Sequence, residues 1–226
     1  SIHNIPLLFQ KRWRRHLNKE QIKKISEQLL KIPPSLDIVV NKYNSIENLK
    51  KELNGAIIGT KNVRVESPEG KITEYFGFEQ GYWWIQDIAA QLPCKILINT
   101  IEKNSKIIDL CAAPGGKTAY LLSHGSNVIA VEKNAKRAKT LKANLSRLKL
   151  KADIVVQDAT IWKPTQLVAA VLLDAPCSAT GTIRKNPDIL WRISASSDIF
   201  KKNITQLNIL QNKLLSSASK MIKKKG

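Results

Sequence analysis

After Lys103 the chain alternates strictly between strand-like and helix-like segments. Apolar runs typical of buried strands occupy residues 106–111, 127–132, 153–158 and 169–176. Helical patterns fill residues 116–123 and 134–149, and the turns between these segments are short. This alternation predicts an α/β domain with a parallel sheet covered by helices, whose ligands bind at the carboxyl ends of the strands.

The first hundred residues have a different pattern. Asn18, with Gln21 three positions later, is expected to cap a helix that Pro33-Pro34 stops, and Ser45 is expected to cap a second helix that ends at Gly55. Strands are predicted at 36–40 and 62–66, and a helix follows the aromatic stretch 82–87 to about Leu97 despite Pro93. We therefore expect a small α+β module over residues 1–100 and a second domain over residues 101–226.

Length, apolar segments and cysteines limit the class of protein. The 226 residues, 43% of them hydrophobic, suit one large domain with a small appendage. No apolar run approaches the ~20 residues that span a bilayer, and no secretion signal is recognised, so we expect a soluble, cytoplasmic protein. Cys94, Cys111 and Cys177 form no C-x-x-C pair, which argues against a disulfide framework or a metal site.

The formal net charge of +19 favours a polyanionic partner. One alternative is that abundant lysine reflects a biased codon supply and merely solvates the surface. A basic cluster near the N-terminus is less easily explained in this way, since arginine and an aromatic ring together suit phosphate contact and base stacking. It comprises Arg12, Trp13, Arg14 and Arg15, and it favours nucleic acid over membrane.

A motif of small residues lies where the first parallel strand turns into its helix. It reads Asp109-Leu110-Cys111-Ala112-Ala113-Pro114-Gly115-Gly116-Lys117-Thr118. Small residues let the backbone approach a ligand, and the helix N-terminus offers N–H groups to a carboxylate or phosphate. Gly-Lys-Thr is also found in ATPase phosphate loops, but that motif needs glycine at position 111, which is Cys111.

Acidic residues end the next two predicted strands. Glu132 follows the apolar run 128–131, where a carboxylate can hold a ribose diol, and Asp158 ends the third strand in the same way. Taken alone, each could be a solvated charge. Because three successive strand ends meet at one edge of a parallel sheet, we predict that they bind one nucleoside.

A second motif follows the fourth strand and reads Asp174-Ala175-Pro176-Cys177-Ser178-Ala179-Thr180-Gly181. A lone cysteine after a buried strand is often an inert core residue. Cys177, however, precedes a polar, glycine-containing loop at the ligand edge, where exposure and reactivity are plausible.

Together the two motifs resemble the RNA (cytosine-5-)-methyltransferases of the Sun/Fmu type. Residues 183–191, Ile-Arg-Lys-Asn-Pro-Asp-Ile-Leu-Trp, are similar to the bacterial small-subunit rRNA enzymes in particular, and residues 77–81 and 86–87 extend the resemblance over nearly the whole chain. The family implies a Rossmann-like class I methyltransferase that uses S-adenosylmethionine to methylate carbon 5 of a cytosine in RNA, most often ribosomal RNA.

The resemblance also implies roles for individual residues. Glu132, which stands where relatives commonly have Asp, would hold the ribose of S-adenosylmethionine, and Asp158 its adenine side. Asp174 would lie between cofactor and target base, and Cys177 would serve product release. Independently of the resemblance, we expect Arg184 and Lys185 to contact RNA phosphates together with the basic cluster. The methionine end would be held by Cys111, Ala112, Ala113, Pro114, Gly115, Gly116 and Lys117.

In the family the attacking thiol belongs to a Thr-Cys-Ser segment on the next strand, and this sequence contains no Thr-Cys-Ser. We therefore expect a fragment with an incomplete sheet, in which residues 223–226 form the turn toward a fifth strand. One alternative is a non-catalytic remnant that binds cofactor and RNA. Another is a DNA cytosine methyltransferase with Cys177 as nucleophile, although the Pro-Cys-Gln of that class is absent.

Overall fold

The computed structural model describes residues 5–29, 35–42, 44–193 and 197–223. The α-helices are α1 (Leu7–Trp13), α2 (Lys19–Gln28), α3 (Ile46–Glu52), α4 (Ile88–Thr100), α5 (Gly116–Ser123), α6 (Ala135–Arg147), α7 (Ile189–Ile193) and α8 (Ser197–Ser219). The strands are β1 (Leu36–Val40), β2 (Ala56–Ile57), β3 (Asn62–Val65), β4 (Trp83–Ile85), β5 (Lys106–Leu110), β6 (Asn127–Val131), β7 (Asp153–Val155) and β8 (Ala170–Leu173).

The second half of the chain forms a parallel sheet with the order β7-β6-β5-β8. Helices α5 and α6 connect the strands in sequence, so the predicted α/β class is confirmed. The strands are shorter than predicted: β7 ends at Val155, and Asp158 lies three residues beyond it instead of ending the strand. Ile222 makes an isolated parallel bridge to Val168, just before β8.

An apolar core holds the parallel sheet to its helices. Ile107 of β5, Ala130 of β6 and Leu172 of β8 are buried together with Leu121 of α5 and Leu141 of α6. Burying each of these leucine and isoleucine side chains stabilises the fold by roughly 1.5–3 kcal/mol. The core therefore fixes the strand ends that position the candidate site.

The first half contains an antiparallel sheet with the order β2-β3-β1-β4. Strand β1 is buried on both faces, because Ile38 packs with Leu49 of α3 while Val39 joins the core around the parallel sheet. Sequence analysis did not predict β2, β4, α1 or α7. Pro33 and Pro34, expected to stop the first helix, lie outside the described residues.

Local signals placed two helix starts correctly. The Asn18 side chain accepts from the N–H of Gln21, whose side chain accepts from the N–H of Asn18, and Ser45 caps α3. The expected end of α3 at Gly55 is wrong by one residue, because Asn54 takes the left-handed conformation with φ 47°. Asparagine tolerates this conformation better than most residues with a side chain.

The described residues group into two compact units. One contains the residues before Ser35 with Pro176–Gln211, and the other contains Ser35–Ala175 with the residues from Asn212 onward. Both sheets lie in the second unit. The division at residue 100 stays a prediction about domains, and the compact units follow a different division of the sequence.

None of the helices in the described ranges is both long enough and apolar enough to cross a membrane.

Candidate functional site

The loop between β5 and α5 carries the first motif and turns sharply at two positions. Cys111 has φ 61°, and Gly115, directly before α5, has φ 106°. Glycine suits position 115 because residues with a side chain rarely adopt a φ of 106°; a Cβ there would also lie 2.6 Å from Leu141 Cδ1. The loop is held in place by a hydrogen bond from the N–H of Ala112 to the carbonyl of Val131 (3.2 Å).

The start of α5 faces this loop with backbone donors. The hydrogen bond from the N–H of Ala119 to the carbonyl of Gly115 (2.8 Å) is the first of the helix, so the N–H groups of residues 116–118 precede the intrahelical ladder. Such a positive helix end suits an anionic group. Lys117 adds a cation here and lies 2.6 Å from the carboxylate of Asp174, which follows β8.

Glu132 follows β6 and is buried. Its Oε1 accepts from the N–H of Asn134 (2.9 Å), and its Oε2 accepts from the N–H of Ala113 (3.4 Å). Arg137 of α6 lies 3.7 Å from Oε2 and also donates to the carbonyl of Ala113. The carboxylate thus ties the end of β6 to the motif loop.

Asp158 lies in the turn after β7. It accepts from Lys133 Nζ (2.6 Å), from the N–H of Thr160 (2.9 Å) and from Thr160 Oγ1 (2.8 Å). These hydrogen bonds, that of Lys133 foremost, lower the pKa of Asp158 to about 2. The residue is therefore an ionised acceptor at neutral pH.

Asp109, in β5, received no role from sequence reasoning. It is fully buried, and Thr118 Oγ1 donates to its Oδ2 at 2.6 Å. Burial raises the pKa of Asp109 to about 7, although the hydrogen bond from Thr118 opposes the shift. Its Oδ1 has no hydrogen-bond partner among the described residues. A charged residue inside an otherwise apolar strand was the available sequence signal.

The three cysteines have different environments. Cys94 is buried and Cys111 is half-buried, and burial raises their thiol pKa values to about 12 and about 11. Cys177 is exposed, and its Sγ accepts from the N–H of Ala179 at 3.3 Å. It lines a cavity of ≈ 510 Å³ within the first compact unit, together with residues of α7 and α8.

Both predicted RNA-contact segments lie in that first unit. Trp13 and Ile183 pack on the same apolar cluster, whose buried members are Ile5, Phe9, Ile22 and Leu190. Trp13 is half-buried, with its ring 5.7 Å from that of Phe9, so only part of it is available for stacking on a base. The arginines of the basic cluster, Arg12, Arg14 and Arg15, are exposed, as are Arg184 and Lys185.

Two comparisons of sequence identify related proteins. Residues 96–226 match the family described as 16S rRNA methyltransferase RsmB/F. Over 169 residues the chain is 40% identical to ribosomal RNA small subunit methyltransferase B of Photorhabdus laumondii subsp. laumondii, covering 73% of this chain and 37% of that protein. The chain thus spans little more than a third of the length of this curated relative.

Solved structures share the fold. A methyltransferase homologue from Pyrococcus horikoshii superposes with a TM-score of 0.71 at 26% identity, covering 97% of this chain and 70% of that one. NSun6 from Pyrococcus horikoshii, solved with SFG, gives a TM-score of 0.82 at 18% identity, covering 100% and 82%. At the lower identity the likeness concerns the fold alone.

Proposed function

Since the chain belongs to the 16S rRNA methyltransferase RsmB/F family, we propose that it transfers a methyl group from S-adenosylmethionine to carbon 5 of a cytosine in small-subunit ribosomal RNA. The observation that carries this proposal is the convergence of three successive strand ends in a parallel sheet. The motif loop, Glu132 and Asp158 follow β5, β6 and β7, and β5 pairs with β6 as β6 pairs with β7. Ligands of such sheets bind at this edge.

The side chains at this edge fit the three parts of S-adenosylmethionine. The N–H groups at the start of α5 suit its carboxylate, and Asp158 suits its adenine side. Glu132 suits the ribose hydroxyls, because a carboxylate has about four acceptor sites and the N–H groups of Asn134 and Ala113 take one on each oxygen. The remaining motif residues, from Cys111 to Lys117, would line the methionine end.

The bound cofactor supplies an electrophilic methyl group. Carbon 5 of cytosine is a poor nucleophile, so a thiolate must first add at carbon 6, and the target base must leave its stack. In the family that thiolate belongs to the Thr-Cys-Ser segment, which this sequence does not contain. Neither Cys94 nor Cys111 suits this chemistry, since burial keeps both thiols protonated. We assign Cys177 to product release, in which the carbon 5 proton is lost and the thiol added at carbon 6 is expelled, which restores the double bond between carbons 5 and 6.

Asp174 completes the proposed site. Its carboxylate is more than half exposed and pairs with Lys117, so it can accept a hydrogen bond from the amino group of a cytosine while Lys117 remains near the cofactor loop. RNA is the proposed macromolecular partner, held by the basic cluster with Arg184 and Lys185. The proposed place of action is the cytoplasm, where small-subunit rRNA is available.

The test has two arms. Isothermal titration calorimetry of the 226-residue chain should show binding of S-adenosylmethionine and none of ATP. Methyl transfer from labelled cofactor to 16S rRNA, assayed with a chain extended to include the Thr-Cys-Ser segment, should map to carbon 5 of a cytosine. Failure to bind S-adenosylmethionine would overturn the proposal. Methylation of duplex DNA in preference to RNA, lost in Cys177→Ala, would replace it with the DNA methyltransferase alternative.

A further inference from the structure

The charged side chains of the segment that contains α6 are all positive. Between residues 133 and 151 the chain has no Asp or Glu and carries eight cationic side chains, Lys133, Lys136, Arg137, Lys139, Lys142, Arg147, Lys149 and Lys151. Two of the cations contact carboxylates at the cofactor edge, Lys133 with Asp158 and Arg137 with Glu132. The α6 lysine track, defined as Lys136, Lys139, Lys142, Lys149 and Lys151, is exposed to solvent.

The track runs from the carboxyl ends of the parallel strands toward their amino ends. Helix α6 begins just after the carboxyl end of β6 and leads to the start of β7. At 1.5 Å per residue, its 13 residues extend over ~20 Å. Lys139 and Lys142 share one flank of the helix, because residues three apart are neighbours on its surface. Lys142, Lys149 and Lys151 then line a cavity of ≈ 660 Å³ at the amino ends of β6 and β7. Asp153 is the one carboxylate in the lining.

Helix stability does not explain where these lysines lie. Helix α2 is also rich in lysine, but there Lys24 pairs with Glu20 and Lys23 with Glu27 along the helix. In the part of the chain that the structure describes, no carboxylate lies within 4.0 Å of the ammonium groups of Lys136, Lys139, Lys142 or Lys151. Lys136 also lies in the first helical turn, where the positive end of the helix disfavours a cation.

Lys149 occupies a position that usually favours glycine. It has φ 56°, and α6 ends there with hydrogen bonds from the N–H of Leu150 to the carbonyl of Leu145 and from the N–H of Lys149 to the carbonyl of Ser146. This pattern places Lys149 at the left-handed residue after the helix, where glycine or asparagine is preferred. Among the other described non-glycine residues with positive φ, Asn54 and Asn104 are asparagines, whereas Cys111 and Ala179 lie in the two motif loops. A lysine here sacrifices local stability and adds a charge to the track.

We propose that the α6 lysine track binds the phosphate backbone of RNA, as a second contact surface in addition to the basic cluster. A row of exposed ammonium groups suits a phosphodiester chain, which presents its charges at regular intervals. Helix α6 starts three residues after Glu132, so the track would lead the RNA strand from the proposed cofactor site along α6. The inference rests on the proposed action on RNA and adds a surface for it.

The experiment measures binding of the 226-residue chain to a fluorescein-labelled stem–loop of 16S rRNA at several salt concentrations. The triple variant Lys139→Gln, Lys142→Gln, Lys151→Gln should bind about tenfold more weakly near 0.1 M salt, with the slope of log K against log salt reduced by roughly two units. The matched control changes Lys50, Lys51 and Lys61 to Gln, which removes the same charge from exposed positions in the same unit, and should bind almost as the unchanged chain does.

A single variant separates binding from folding. Lys149→Gly should raise the melting temperature, because glycine suits the left-handed position, while RNA binding becomes weaker. If the unchanged chain does not bind RNA, the proposed function itself fails. If it binds and the triple variant matches its control, the track is a solvated face and the inference is wrong. Preference for vesicles of anionic lipid over the stem–loop would also overturn it.

Discussion

Lys117 Nζ lies 2.6 Å from Asp174 Oδ2, and this ion pair joins the loop after β5 to the segment after β8. The lysine is mostly buried, with 19% of its side chain exposed, whereas 57% of the Asp174 side chain is exposed. The pair therefore connects the proposed cofactor loop to the residue proposed to meet the target base.

The ion pair predicts non-additive effects on cofactor binding. Lys117→Ala and Asp174→Ala should each weaken binding of S-adenosylmethionine, and the double variant should lose less than the sum, with a coupling of about 1 kcal/mol. Calorimetric titration of the four proteins measures this coupling. Strictly additive losses would show that the two residues act independently.

We predict that shortening the Glu132 side chain lowers the affinity for S-adenosylmethionine. Glu132→Ala should weaken binding of S-adenosylmethionine by ~1–3 kcal/mol, because the buried hydrogen bonds around the carboxylate are lost. Because Glu132 also accepts from the N–H groups of Ala113 and Asn134, thermal melting must accompany the titration. Glu69→Ala, at an exposed position, is the control. Unchanged affinity in a folded Glu132→Ala variant would remove Glu132 from the site.

Asp109 predicts a pH dependence of folding stability. Its pKa in the folded protein is about 7, above the ordinary 3.8, so between these pH values the native state holds a proton that the unfolded state has lost. Its contribution to stability is therefore full below about pH 4 and falls as the pH rises to about 7. Asp109→Asn should remove this loss, which amounts to a few kcal/mol at most.

Urea unfolding of both proteins between pH 4 and pH 8 checks the sign. The free energy of unfolding of the Asp109→Asn variant minus that of the unchanged chain should increase as the pH rises. Thr118→Val, which removes the opposing hydrogen bond, should extend the fall above pH 7. Parallel curves for the unchanged chain and Asp109→Asn would mean that Asp109 is ionised throughout the range.

The basic cluster predicts salt-dependent RNA binding. Reversing Arg12, Arg14 and Arg15 to Glu should weaken binding, and each lost phosphate contact should flatten the salt slope by roughly 0.7–0.9 units. The same reversal at Lys50, Lys51 and Lys61 controls for net charge. Fluorescence anisotropy over a salt series measures both quantities. Equal affinity and slope in the arginine variant and its control would identify the cluster as a solvated surface.

Local and periodic signals explain what the sequence predicts well. The mutual hydrogen bonds of Asn18 and Gln21 involve residues three apart, and the alternation after Lys103 follows from strands buried in a parallel sheet. Glu132 and Asp158 were chosen because parallel strands bring their ends to one edge, and the structure places them after β6 and β7. Their roles in binding stay predictions.

Long-range packing explains what the sequence did not reveal. Helix α1 was read only as a charged segment, because its apolar residue Phe9 finds its partner Leu190 far along the chain. The ion pair of Lys117 with Asp174 and the contact of Arg137 with Glu132 likewise depend on tertiary structure. Contacts between residues far apart in the sequence produce no periodic pattern, so the sequence predicts the strands and helices of the site but not the ion pairs that connect them.

The cysteines predict an order of chemical reactivity. Only thiolates react rapidly with iodoacetamide, and burial raises the pKa of Cys111 to about 11 and that of Cys94 to about 12. Cys177 is exposed to solvent, so at pH 8 it should be alkylated first, followed by the half-buried Cys111 and then the buried Cys94. Peptide mass spectrometry over a time course measures the order, and Cys177→Ser should remove the fast phase alone. Faster alkylation of Cys111 would transfer the role of reactive thiol from Cys177 to the cofactor loop.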